Sequence, residues 1–174
     1  MTNQVILWST LIVPWLTLFF MKREDIKRYM PAALFSVVIS TILVDAGVRL
    51  GFWAIRETSF PFYIMLPYIY GLYPVATIWV LKFTNGSLLV YMITNAILDL
   101  GFSYIFLGYF IATRGIVDFG ITKFQDWLLA IGRAIVIYIY QKWQENELLP
   151  VKENLLSPNL HSAVAKPFLK RKHD

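Results

Sequence analysis

Two aspartates inside long apolar segments are the side chains of this sequence best placed to do chemistry. Asp45 and Asp99 each follow a run of aliphatic residues, and each is followed two positions later by a glycine. A carboxylate within a membrane span is costly and normally faces a polar interior or a functional site. The two aspartates therefore mark the candidate site, and their similar surroundings predict either a repeated helix or a shared packing role.

Other polar residues share helical faces with the aspartates, or lie at a matching depth. Arg49 follows Asp45 by four residues and Asn95 precedes Asp99 by four, so each pair lies on one side of a helix. At a rise of about 1.5 Å per residue, Arg133 of the last apolar segment comes within reach of Asp99, and we expect an ion pair between them. We expect Asp45 to pair with Arg49 one turn away or to form hydrogen bonds with polar groups of the fourth span. The predicted intramembrane polar network comprises Asp45, Arg49, Asn95, Asp99 and Arg133.

The composition indicates the elements that must carry these residues. Apolar residues make up 57% of the chain and charged residues only 16%, and the charges cluster between apolar runs of about 20 residues, the length that crosses a bilayer. We predict an all-α polytopic membrane protein, a bundle of about five transmembrane helices in residues 1–143. The predicted spans are 5–21, 31–53, 61–83, 88–111 and 124–143, followed by a polar, basic cytoplasmic tail at 144–174. In the third span, Pro67, Gly71 and Pro74 predict a kinked or locally broken helix.

The orientation of the bundle follows from its basic residues, which concentrate on the cytoplasmic side of membrane proteins. With five spans and the N-terminus outside, the inner connections hold most of the lysines and arginines near the membrane. These are Lys22, Arg23, Lys27, Arg28, Lys82, Lys142 and Lys152, against Arg49, Arg56, Arg114 and Lys123 on the outer side. We predict that the N-terminus is outside and the C-terminus inside.

Several classes of activity are disfavoured by the residues that the sequence lacks. Cysteine is absent and the only histidines, His161 and His173, lie in the predicted tail, which disfavours a thiol nucleophile or a metal centre in the spans. No phosphate-binding or dinucleotide motif is present, and no basic patch with interleaved aromatic residues indicates nucleic-acid binding. We expect no catalytic residue, no metal and no cofactor.

An intramembrane aspartic protease is the one enzyme class that two membrane aspartates bring to mind, because such a pair can share a proton and activate water. The sequences around Asp45 and Asp99 lack the Gly-x-Gly-Asp motif of known enzymes of this kind. A neighbouring Arg133 would also keep Asp99 ionised. We therefore treat this class as a remote alternative and expect a protein that is not an enzyme.

The order of features resembles a family of small, uncharacterised multi-pass membrane proteins of spore-forming Gram-positive bacteria, the bacilli and clostridia. The resemblance covers residues 5–143. It rests on Asp45 with Gly47, on the Gly51-Phe52-Trp53 end of the second span, on the prolines of the third span, and on the Asn95 and Asp99 of the fourth. What it implies is a bacterial plasma-membrane location, and it supplies no activity.

These features lead to two functional hypotheses. The first is a non-enzymatic membrane component, a homo-oligomer or a partner of another membrane protein, whose buried charges hold the bundle together as polar glue. The alternative is a transporter or channel for a small solute or ion that uses the intramembrane charges. In both cases the chain contacts the lipid bilayer and binds no nucleic acid.

Overall fold

The computed structural model describes residues 3–62, 67–84 and 86–148, and this part of the chain is mostly helical, as the sequence predicts. The helices are α1 (Asn3–Thr17), α2 (Arg23–Arg49), α3 (Pro67–Tyr70), α4 (Leu72–Thr84), α5 (Leu88–Gly101) and α6 (Lys123–Leu148). A 3₁₀ turn, Leu18–Phe20, extends α1; a π-helix, Phe102–Ile111, and a 3₁₀ turn, Ala112–Arg114, extend α5. Two short strands, β1 (Trp53–Ile55) and β2 (Val117–Phe119), complete the described elements.

Three of these helical segments are long and apolar enough to cross a membrane: Asn3–Phe20, Arg23–Arg49 and Leu88–Arg114. They correspond to the predicted first, second and fourth spans. The chain up to Gln141 forms one compact unit, and a second unit begins at Lys142. Most of the predicted tail, residues 149–174, lies outside the described residues.

The two ends of the first unit are built differently. At one end β1 and β2 pair as an antiparallel ribbon, with Trp53 opposite Phe119, and Gln4 Nε2 near the start of α1 donates to Glu57 Oε1 at 2.9 Å. We call this the ribbon end. At the other, the turn end, Ser87 N before α5 donates to the Thr84 carbonyl of α4 at 3.0 Å, and Lys82 pairs with Asp25 at 3.1 Å. The long helices therefore alternate in direction between the two ends.

The second helix differs in its limits from the predicted span at 31–53. It begins at Arg23 rather than near Pro31, so the charged segment that the sequence analysis placed in a connection forms its first turns. Glu24 and Asp25 lie in that first turn, where acidic side chains favour a helix N-terminus. The helix ends at Arg49, and Gly51, with φ +76°, turns the chain into β1. The short ribbon was not predicted.

The predicted break in the third span lies at Gly71, between α3 and α4. Pro74 has no N–H to donate to the carbonyl of Tyr70 four residues earlier, and Trp15 Nε1 of α1 donates to that oxygen instead, at 3.0 Å. A Cβ on Gly71 would overlap the carbonyl oxygen of Thr10 in α1. The break is thus where α1 packs closely against the third helical segment.

Buried apolar side chains form two clusters, one nearer each end. The turn-end cluster includes Ile78, Leu81 and Ile137, and the ribbon-end cluster includes Leu7 and Ile111. Large apolar side chains also cover the outside of the long helices, among them Phe19, Phe20, Ile42, Ile97, Ile105 and Ile139. The polar residues of the candidate site lie between the two clusters.

Candidate functional site

The centre of the candidate site is the ion pair between Asp99 and Arg133. Arg133 Nη2 of α6 lies 3.3 Å from Asp99 Oδ1 in the last turn of α5, and the two side chains are only 13% and 12% exposed. The guanidinium also stacks on the ring of Tyr73 in α4, with its carbon 4.0 Å from the ring centroid. One arginine therefore connects three helices through two electrostatic contacts.

The position of Asp99 follows from a stripe of residues spaced four apart along α5 and the start of the π-helix. Tyr91, Asp99 and Ser103 are buried along this stripe, and Asn95 is half-buried between them. Asn95 Nδ2 donates to the Tyr91 carbonyl at 2.9 Å, and the Tyr91 hydroxyl donates to the carbonyl of Ala134 at 3.2 Å. The stripe therefore faces α6 next to Arg133.

A second buried carboxylate, Asp126, lies on the ribbon-end side of the Asp99–Arg133 pair. We call these three residues and the side chains that contact them the polar cluster. Its Oδ2 accepts a 2.6 Å hydrogen bond from Ser103, and its Oδ1 accepts a 3.2 Å hydrogen bond from Trp53 Nε1. Both oxygens are thus engaged, and the residue joins β1, the π-helix and α6. The π-helix begins just before Ser103; such segments often occur at functional sites.

Asp126, Ser103, Tyr73 and Trp53 belong to the cluster but not to the predicted network. The sequence did hold a signal for two of them, since Ser103 continues the stripe of Asn95 and Asp99, and Asp126 precedes Arg133 by seven residues. No local spacing identifies Tyr73 or Trp53, because each comes from a segment distant in the chain.

The structure divides the predicted network. Asn95, Asp99 and Arg133 line one cavity, whereas Asp45 and Arg49 lie exposed on α2. Neither forms a hydrogen bond or ion pair with any residue that the structure describes. Including these two in a buried network was therefore wrong. Because Asp45 is exposed and Asp99 is buried against Arg133, the two aspartates do not form a carboxylate pair that shares a proton.

Two small cavities of about 50 Å³ each lie on either side of Arg133. Asp126 and Ser103 line the first, Asp99 lines the second, and Ser40 of α2 lines both. A larger cavity of about 470 Å³ at the ribbon end shares Ser103 and Asp126 with the first. The polar cluster is therefore bordered by a series of three cavities.

Two polar atoms in this region are buried and have no hydrogen-bond partner among the described residues, Asp99 Oδ2 and Ser40 Oγ. Two carboxylates and one guanidinium give the cluster a formal charge of −1. Over residues 3–62, 67–84 and 86–148, no group of three histidine, cysteine, aspartate or glutamate side chains could hold a metal ion. The free carboxylate oxygen is the group that remains available to a ligand.

Comparison with known proteins yields no match: no family model, no curated protein and no solved structure matches this chain. The function of the chain is therefore inferred from the polar residues around Arg133.

Proposed function

We propose that this chain is a multi-pass membrane protein with five spans, with its ribbon end outside and its turn end in the cytoplasm. Three segments have the length and apolar character of spans, and large exposed apolar patches are typical of membrane contact. On α2, Arg28 and Arg49 are separated by 21 steps along the helix, a rise of about 32 Å, close to the thickness of a bilayer core of about 30 Å. The resemblance stated above favours a bacterial plasma membrane.

Within that membrane we propose a non-enzymatic role, as an oligomeric or partner-binding component. The observation that supports this role is the Arg133 bridge, because it joins α4, α5 and α6 through Tyr73 and Asp99. Charged residues in spans pair with one another or with polar groups when they have a holding role. The bridge fixes three helices and leaves the outer surface of α2 free to contact another protein.

The exposed side of α2 supports a second copy of this chain as the partner. Asp45 lies about 6 Å below Arg49 along the helix, and neither has a partner within the described part of the chain. Two copies of α2 related by a two-fold axis could form reciprocal pairs between Asp45 of one and Arg49 of the other, because such an interface uses the same patch on both copies. Assembly would thereby neutralise charges that lie on an apolar surface.

Transport of a small solute or ion is the second candidate. It is favoured by one observation, the unpaired Oδ2 of Asp99, since a fully paired structural cluster needs no free carboxylate oxygen. The two candidates differ in what the Asp99→Ala variant loses: folded protein in the first case, and flux at normal yield in the second.

The proposed topology can be tested with single cysteines, because the natural chain has none. Thr113→Cys lies at the ribbon end and Ser87→Cys at the turn end, and both positions are exposed. In intact cells, a membrane-impermeant maleimide should label the first directly and the second only after permeabilisation. The reverse pattern would refute the orientation, and labelling of both in intact cells would refute the spans.

The proposed assembly is tested by the molecular mass of the protein in detergent micelles. The wild-type chain should be dimeric, Asp45→Arg should be monomeric because it places like charges opposite each other, and Asp45→Arg with Arg49→Asp should restore the dimer. A monomeric wild type, or a double variant no more associated than the single, would refute a two-fold interface on α2.

A further inference from the structure

Three neighbouring cavities lie between the ribbon end of the bundle and Asp99, and adjacent members share lining residues. The large cavity is lined partly by exposed residues around the start of α6, including Lys123. It shares the lining residues Ser103 and Asp126 with the first small cavity. The first and second small cavities share the lining residue Arg133, and Asp99 lines the second. Polar or charged groups therefore line each step of the series.

The second small cavity is lined by both residues whose buried polar atoms lack partners. Asp99 is 9% exposed and Ser40 is 1% exposed, and Asp99 Oδ2 and Ser40 Oγ are unpaired among the described residues. Buried polar groups in proteins are hydrogen-bonded as a rule, whether to protein, water or an ion. A cavity of about 50 Å³ has room for water, which needs about 10–15 Å³ on the same measure. The cavity therefore fits water-sized polar ligands and excludes larger solutes.

The charge of the surrounding groups selects among such ligands. Asp99 and Asp126 contribute two negative charges and Arg133 contributes one positive charge. Lys123 lines the large cavity at the ribbon end, where its ammonium lies 5.5 Å from the ring centroid of Tyr104. Asp118, also at the wide end, is paired with Arg56. The buried part of the series thus carries a formal charge of −1, which one small cation would neutralise.

Beyond Asp99 the lining of the second cavity becomes apolar. Toward the turn end, the second cavity is lined by Val80, Ala134 and Ile137 of the turn-end apolar cluster. An ion that reaches Asp99 therefore meets apolar packing on the cytoplasmic side. The described arrangement is suited to binding an ion from the ribbon end and not to conducting it through.

We propose that the three cavities form a water-filled inlet through which one water-sized cation, a hydronium or an alkali-metal ion, reaches Asp99 and is held by its Oδ2 and by Ser40 Oγ. The inlet goes beyond the assembly role proposed above and does not depend on it. A monomeric chain would still have the inlet, and a dimer without it would still have the Arg133 bridge.

The inlet is tested by comparing two serines in the full-length chain reconstituted into lipid vesicles. Ser40→Cys places a thiol in the second cavity, and Ser9→Cys places one on the exposed face of α1, which faces lipid in the proposed topology. The probe is Ag⁺, which is itself a small monovalent cation, and the readout is the loss of thiol available to a maleimide after unfolding. A thiol in apolar surroundings stays protonated and reacts slowly. Ser40→Cys should therefore react at least about tenfold faster, despite its burial in the bundle.

Equal rates at the two positions would overturn the inlet. If Ser40→Cys does not fold, Ser103→Cys at the junction of the first two cavities replaces it, with the same expectation against Ser9→Cys. Correct labelling of Thr113→Cys and Ser87→Cys in the same vesicles shows that the spans are intact. Failure of the inlet is thereby separated from failure of the membrane topology.

The cation site is tested by removing the charge of Asp99 in the Ser40→Cys background. Asp99→Asn should slow the Ag⁺ reaction by about tenfold, because a carboxylate that lines the same cavity concentrates a cation. Neutral N-ethylmaleimide, which is larger than the second cavity, should label neither variant before unfolding. Glu24→Gln, which removes the same charge from the exposed turn-end start of α2, should leave the Ag⁺ rate unchanged.

Competition with Ag⁺ then distinguishes an alkali-metal ion from a hydronium ion as the bound cation. Protection of Ser40→Cys from Ag⁺ by excess Na⁺ or K⁺ would assign an alkali-metal ion. Protection only by acid, beyond the effect of acid on Ser9→Cys, would assign a hydronium ion. Protection by neither, or an Ag⁺ rate that Asp99→Asn does not change, would overturn the cation site.

Discussion

The Asp99–Arg133 pair predicts a strong energetic coupling between α5 and α6. Removing one partner of a buried ion pair leaves the other charge uncompensated and costs about 3–5 kcal/mol in soluble proteins. Polar contacts between membrane helices are worth less, because the unfolded reference state in the membrane also finds partners. Both side chains are nearly buried, so we expect Asp99→Ala and Arg133→Ala each to lower the unfolding free energy by about 3 kcal/mol.

The double variant separates the pair from the packing around it. Because Asp99→Ala with Arg133→Ala leaves no lone charge, its loss should be smaller than the sum of the two single losses, by a coupling energy of about 2 kcal/mol. Exchanging the two residues restores the pair but removes the stacking of the guanidinium on Tyr73, which is worth about 1–2 kcal/mol when desolvated. The charge swap should therefore recover most, but not all, of the stability.

The assay is unfolding in mixed micelles of mild detergent and dodecyl sulfate, followed by tryptophan fluorescence. The chain offers a matched control in Arg56 and Asp118, whose Nε and Oδ2 atoms are closer, at 2.7 Å, but whose side chains are 64% and 53% exposed. Exposed pairs contribute about 0–1 kcal/mol, so the same cycle on this pair should give little coupling. Additive losses at Asp99 and Arg133, or equal coupling in the two cycles, would refute the argument from burial.

Two further predictions concern the packing of the third helical segment against α1. Gly71→Ala should destabilise the protein by about 1–3 kcal/mol, because its Cβ would overlap α1. As a control, the Cβ of Gly101→Ala meets no atom within 4 Å, so this variant should be neutral. Equal effects of the two variants in thermal unfolding would contradict this prediction. Trp15→Phe should cost about 1–3 kcal/mol by leaving the Tyr70 carbonyl unpaired. Adding Pro74→Ala should recover part of that loss by supplying an N–H, and a double variant as unstable as Trp15→Phe would contradict the account.

The sequence predicted the mostly helical class, the break at Gly71 and the residues that the structure pairs at the centre of the cluster. Depth along a helix follows from the rise per residue, and a lone charge in an apolar segment needs a partner. These two constraints were sufficient to bring Asp99 and Arg133 together. They depend on spacing within each helix and not on the way the helices are arranged.

The environment of Asp45 could not be predicted in the same way. Asp45 and Asp99 have nearly the same neighbours in sequence, yet one is exposed and the other buried. The spacing of Asp45 and Arg49 shows that they share a side of α2. However, α2 carries apolar side chains both on the side that faces the bundle and on the exposed side. In the proposed topology the surrounding lipid is as apolar as the helix surfaces, so hydrophobic periodicity does not indicate which side of α2 faces the bundle.

The contact between Trp53 and Asp126 was unpredictable for a different reason. It depends on the ribbon of β1 and β2, two strands of three residues each that come from connections far apart in the chain. Strands this short show no alternating pattern, and their pairing is a long-range event. A tryptophan near a span end also has an ordinary role as an interfacial anchor, which hides its role as a hydrogen-bond donor.

The two buried carboxylates should respond differently to the same change, from carboxylate to amide. In Asp126→Asn, the amide oxygen can still accept from Trp53, and the Ser103 hydroxyl can turn to accept from the new amide nitrogen, because a hydroxyl both donates and accepts. We expect the loss to be below about 1 kcal/mol. Asp99→Asn removes the charge opposite Arg133 and should cost about 3 kcal/mol. The same micelle titration measures both. Equal losses would show that charge alone, and not the donors around each carboxylate, determines the stability of the cluster.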